Sequence, residues 1–269
     1  MISLDWKERL IADCIDFFER KLPEGYYDFD VIYNAYPKRI DNKIPRDIVV
    51  FVADTLASKM LKVHKEYLPF LDYIWKKKGE NGKLVFSCIL SKFIKKDQKF
   101  YYDYTKKYMD SIDNTSDVSL LMEKVFYPIY KKNPTEHIEP LINWLRDAND
   151  VISQNLIKII LKIGKSNSDF LKKFTDKMEN RWLNATPEFA KVSGNFLKSL
   201  GKIDQELYLN FYRNYKATRE PIFVEILTIG LMMYSDSLYE TYENWSKSGN
   251  ARLKKAALTG LKFLKKKKK

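Results

Sequence analysis

"IEPLINWLRDANDVISQNLIKIILKIGK", Ile138 to Lys165, carries the pattern on which the fold turns. Ile138, Leu141, Ile142 and Leu145 recur at the spacing of one helix face, and Ile152, Leu156, Ile159, Ile160 and Ile163 do so again over a longer run. Between the runs, "RDAND" supplies Asp and Asn side chains that can accept the free N–H groups of a helix start. The stretch predicts a short helix, a tight turn and a longer helix.

Similar units lie on both sides. In "LPFLDYIWKKKGENGKLVFSCILSKFIKK", Phe86, Ile89, Leu90, Phe93 and Ile94 share one face of a second helix. In "FAKVSGNFLKSLGK", Phe189, Val192, Phe196, Leu197 and Leu200 do the same, and "YENWSKSGNARLKKAALTGLKFLKK" closes the series. Comparable positions recur roughly every 30 to 37 residues, the range of helical repeats. One such pair has too little apolar surface to be stable alone and must stack on its neighbours. The expected fold is all-α, an α-solenoid of stacked antiparallel helix pairs forming one domain over residues 1–264, with an irregular helical bundle as the alternative. Residues 1–66 repeat less regularly. There "YYDFDVIYNAYPKRIDNKIPRD" reads as a loop broken by Pro37 and Pro45, leading into a helix from Asp47 to Met60.

Composition agrees with helices. The 269 residues are 45% apolar and 31% charged, with only nine Gly and nine Pro, which disfavours a turn-rich β fold. Asp5, Lys7, Glu8, Arg9, Asp13 and Asp16 interrupt any secretory signal in the first twenty residues. The longest apolar run, Ile226 to Tyr234, is about half of what a membrane span needs. The expectation is a soluble, cytoplasmic chain in which Cys14 and Cys88 are buried thiols. With only His64 and His137 beside those cysteines, no zinc cluster can be built from the usual spacings. No glycine-rich phosphate loop and no nucleophile elbow is present, and no cofactor is expected.

The net charge is +13, from 48 basic and 35 acidic residues. Lys158, Lys162 and Lys165 fall opposite the apolar stripe of the Ile152–Ile163 helix, and Lys191, Lys198 and Lys202 fall opposite that of the helix near Phe189. If second helices line the inner surface of a solenoid, these lysines make a cationic groove suited to a phosphate backbone. Lysines opposite an apolar stripe are also what any solvated helix shows. Lys265–Lys269 reads as a disordered tail that attracts polyanions, an acidic membrane surface included.

Three segments resemble the HEAT-like repeat proteins of DNA alkylation repair, of the AlkD type. "LDYIWKKKGENGKLVFSCILSKFIKK" resembles that family's tryptophan-containing helix pair, with Trp75 in the tryptophan position. "YMDSIDNTSDVS" resembles its I-D-N-W-x-x-x-D segment at Ile112, Asp113 and Asn114, and "KVSGNFLK" resembles K-A-x-G-W-A-L-R at Lys191, Gly194, Leu197 and Lys198. The likeness runs from about Tyr67 to Leu227, and its motifs are short. It implies a curved HEAT-like solenoid holding double-stranded DNA, in which two tryptophans and an aspartate assist loss of an alkylated, cationic base. Ring faces attract the cation, and the carboxylate stabilises the charge developing on the sugar.

The departures fall on those chemical positions. Thr115 and Asn195 stand where tryptophan is wanted, and Ser119 where the aspartate is wanted. Ser153 and Gln154 replace an expected arginine pair, which Lys254 and Lys255 match only in the last repeat. Asp113 reads as a helix-end cap. Asp117, the remaining catalytic candidate, is displaced by two residues, about 200° around a helix. The expectation is a DNA-binding protein whose glycosylase activity is lost or altered. The alternatives are an active glycosylase using Asp117 or Tyr108 in a rearranged site, and a scaffold for a protein partner. Trp144, Trp182 and Trp245 are expected to pack in the core.

Overall fold

The structure is a computed structural model and describes residues 6–22, 29–33, 36, 43–112 and 114–268. Among these residues the regular elements are helical, apart from an isolated bridge residue at Lys43. Two compact units are present, Met1–Pro128 and Ile129–Lys269. Pro37 and Asp113, for which a breaker and a cap were expected, lie outside the described residues.

The first unit contains α1 (Trp6–Lys21), α2 (Arg46–Met60), α3 (Leu68–Lys77), α4 (Gly79–Phe93), α5 (Gln98–Met109) and α6 (Thr115–Leu121), with short 3-10 turns at Phe29–Tyr33 and His64–Tyr67. From α6 the chain passes through one π-helical stretch, Met122–Phe126, into α7 (Tyr127–Lys132). α4 is the central element, packing on α2, α3 and α6. That position explains its composition, because Val85, Phe86, Ile89, Leu90 and Phe93 are fully buried on one broad face, and Leu84, Ser87 and Cys88 on the other flank are buried as well. Cys14 and Cys88 are buried in this core. Burial, and secondarily Asp13, pushes the Cys14 thiol up to about 12, so it stays protonated and inert.

The second unit contains α8 (Ile138–Asp147), α9 (Asp150–Gly164), α10 (Ser168–Glu179), α11 (Pro187–Leu200), α12 (Gln205–Tyr215), α13 (Pro221–Gly230), α14 (Asp236–Ser246) and α15 (Ala251–Lys267). α9 packs on α11, α11 on α13, and α13 on α15, while α8 packs on α10. The turn chemistry is local. Asn149 accepts from the Ile152 N–H at 2.9 Å, Thr186 from Phe189 at 3.2 Å, and Asn250 from both Arg252 and Leu253, so α9, α11 and α15 each start on a side-chain cap. α15 continues through Lys267, so Lys265, Lys266 and Lys267 form its last turn where a disordered tail was expected.

Two glycines set the helix spacing here. A Cβ on Gly194 of α11 would stand 2.5 Å from the Cβ of Ile229 on α13, and one on Gly260 of α15 would stand 2.2 Å from the ring of Tyr242. The Tyr242 ring is fully buried and its hydroxyl lies 3.3 Å from Thr228 Oγ1, so it has nowhere to swing. Gly260→Ala is therefore expected to destabilise this unit by about 1–3 kcal/mol despite the better helix propensity of alanine. Gly249→Ala, which meets nothing within 4 Å, should be close to neutral. Urea unfolding midpoints of the two variants check this, and equal midpoints would remove the close-packing account.

Candidate functional site

Asp117 sits in the first turn of α6, which begins where Asn114 accepts from the Ser116 N–H at 2.8 Å. Its carboxylate is already engaged. Lys83 Nζ, from α4, donates to Asp117 Oδ2 at 2.5 Å, and the same ammonium lies 5.6 Å from the centre of the Trp75 ring. The Asp117 side chain is only 14% exposed, so the pair is held in a partly desolvated setting where its attraction is strong. Around it is a cavity of about 470 Å³ whose lining includes Lys43, Arg46, Ser116, Ser119 and Glu123. Ser119, in the aspartate position of the resemblance, thus faces the same cavity as Asp117 and brings a hydroxyl to it. Thr115 is exposed at the start of α6.

The aromatic candidates are packed. Trp75 is 8% exposed and rests against Phe86 at 4.8 Å and Tyr108 at 5.4 Å between ring centres. The hydroxyls of Tyr104 and Tyr108 both donate to one oxygen of Asp72. Burial, and then the hydrogen bond to Asp72, raises the Tyr104 phenol far above its usual range. Tyr108 is accordingly fixed by Asp72, Trp75 and Phe86. Trp144, Trp182 and Trp245 are buried, the last two at 1% exposure against Phe211 and Tyr242 respectively.

The lysines expected to bind DNA separate into three groups. Lys158 of α9 and Lys198 and Lys202 at the end of α11 line one groove of about 300 Å³, together with Gln154, Asn195 and Ser199. Among the described residues no acidic side chain lines it. Lys162 and Lys165 continue the exposed row of α9 beyond this groove. Lys198 lies in the last turn of α11 and Lys202 two residues past its end, where a cation also offsets the helix dipole. Lys191 stands apart from them, because its ammonium donates to Asp150 at 2.6 Å at the opposite end of the helix. Lys254 and Lys255 lie on α15, in a separate depression.

Ser153 and Gln154, at the positions of the expected arginine pair, divide in role. Ser153 is buried and returns its hydroxyl to the Asp150 carbonyl at 3.1 Å, whereas Gln154 is exposed in the groove. Lys83 was not legible as the partner of Asp117. The two are 34 residues apart, and the spacing that announces ion pairs within one helix carries no information about pairs between helices.

No protein-family model, no curated protein and no solved structure matches this chain. Its site is therefore read from its own geometry: a lysine groove without carboxylates in the second unit, and a neutralised carboxylate in the first. No helix among the described residues is long and apolar enough to cross a membrane.

Proposed function

We propose that the helix pairs within each unit are HEAT-like solenoid repeats and that the chain binds double-stranded DNA along the lysine faces of α9 and α11, without excising alkylated bases. The repeat reading is supported by helix starts at residues 46, 79, 115, 150, 187, 221 and 251, and by the packing of α9, α11, α13 and α15 in succession. The observation that carries DNA binding is the α9–α11 groove, where Lys158, Lys198 and Lys202 converge with amide and hydroxyl groups and no acid. Phosphate oxygens accept from all of these donors, and such contacts position a duplex without reading its sequence. The likeness to AlkD-type proteins is then one of scaffold. Its chemical positions hold Thr115, Ser119 and Asn195, and the nearby Asp117 is bound to Lys83.

Duplex binding followed by fluorescence anisotropy across salt concentrations tests this reading. If Lys158, Lys162, Lys165, Lys198 and Lys202 each neutralise one phosphate, the logarithmic salt slope is expected to be about −4 to −5. A slope shallower than about −2 would overturn the groove, since it would leave fewer than three phosphates contacted. Binding lost only on deletion of residues 265–269 would also overturn it, by placing the duplex at the end of α15.

A further inference from the structure

We propose that the outer face of α15 docks on anionic phospholipid surfaces, independently of the DNA-binding groove. From Ala251 to Lys267 this helix contains Arg252, Lys254, Lys255, Lys262, Lys265, Lys266 and Lys267 and no acidic residue. Leu253, Ala257, Gly260, Leu261 and Leu264 face the unit's core. Opposite them, Ala251, Lys255, Leu258 and Lys262 are exposed and form, with Lys254, a shallow depression of about 450 Å³.

Most cations along this segment are uncommitted among the described residues, three being engaged. Arg252 is paired with Glu225 at 2.6 Å, Lys267 folds over the Phe263 ring, and Lys268 lies 5.3 Å from the centre of the Tyr234 ring. Lys254, Lys255, Lys262, Lys265 and Lys266 form no ion pair among the described residues. They extend over about 18 Å of helix axis. A surface of this charge repels a second copy of itself and fits a polyanion.

Leu258 decides which polyanion. It is 50% exposed in the middle of the lysines, where a phosphate backbone offers it no apolar partner. At a bilayer surface its side chain reaches below the headgroups while the lysine stems lie along the interface and carry their ammoniums to lipid phosphates and carboxylates. Lys254 and Lys255 are thereby assigned to lipid headgroups. The contact is peripheral, because the opposite face of α15 belongs to the core.

Co-sedimentation of the full chain with vesicles of about 30% phosphatidylserine in phosphatidylcholine, against phosphatidylcholine alone, reads this directly. Association with the anionic vesicles only is expected. Leu258→Gln keeps every charge and should lower the partition about fivefold. Lys262→Glu with Lys265→Glu should lower it more than about a hundredfold, since each unit of charge near such a surface contributes about fivefold and the two reversals change four units. Leu258→Gln should leave duplex affinity unchanged. Absence of vesicle binding at about 0.1 M salt, or binding indifferent to Leu258→Gln, would overturn the proposal. Loss of duplex affinity in Leu258→Gln would do so too, by making α15 a nucleic-acid surface.

Discussion

Changing Lys158, Lys198 and Lys202 together to Glu is expected to weaken duplex binding by about a hundred- to a thousandfold at low salt, and by less as salt rises. Each substitution removes one cation from the proposed phosphate path and inserts an anion, so six units of charge change within one groove. At roughly 1 kcal/mol per unit of charge beside an anionic surface, and allowing for screening, the loss reaches about 3–4 kcal/mol. The fold should tolerate it. Lys158, Lys198 and Lys202 are exposed, opposite Leu156, Ile160, Phe196 and Leu200 in the buried faces of their helices. Lys191→Glu provides the contrast. Its ammonium is already paired with Asp150, so that reversal should cost far less affinity than any one of the three. Equal effects of Lys191→Glu and Lys198→Glu would mean that binding follows net charge and not the groove. An unaltered affinity in the triple variant would remove the groove altogether.

The contrast between these lysines also marks what a sequence can and cannot disclose. All of them fall opposite an apolar stripe, and periodicity places each on an exposed face correctly, because the face is decided within one helix. Whether a cation is free is decided between helices. Asp150 belongs to α9 and Lys191 to α11, 41 residues later, and no local pattern joins them. The same limit hides the Lys83–Asp117 pair and the contact of Gly260 with Tyr242. By contrast, α9 was legible almost to its ends, since Asn149 supplies the cap and Ile152, Leu156, Ile159, Ile160 and Ile163 form the buried face. The helix after Pro45 was legible from that proline breaker, and it starts at Arg46 where Asp47 was expected. The end of α15 was not legible, because a run of lysines has no apolar period to announce a helix. There the apolar face stops at Leu264, and the last turn is carried on by backbone hydrogen bonds, including Lys268 N–H to the Leu264 carbonyl at 3.0 Å.

The second large effect concerns chemistry. The wild-type chain is expected to release 7-methylguanine or 3-methyladenine from alkylated duplex at least about a hundred- to a thousandfold more slowly than a protein with a carboxylate beside the sugar, the usual cost of losing one well-placed electrostatic group. Cationic lesions have a glycosidic bond that is already weak, so the demand on the protein is stabilisation of the sugar cation. Ser119 has no charge to offer. Asp117 has one, but Lys83 at 2.5 Å cancels it, and to reach a sugar the carboxylate would have to leave an ion pair that is partly buried against Trp75. Breaking a partly desolvated pair leaves an ammonium without its partner, which opposes any such movement. Lys83→Met separates position from charge. It frees the Asp117 carboxylate, and release should still be absent if Asp117 is wrongly placed for the sugar. Ser119→Asp combined with Thr115→Trp and Asn195→Trp supplies the side chains that the resemblance calls for, and a measurable rise in base release over the wild type is expected from it. Robust release by the wild type that disappears in Asp117→Asn would reverse this assignment, since it would make Asp117 a working carboxylate and the Lys83 pair its resting state.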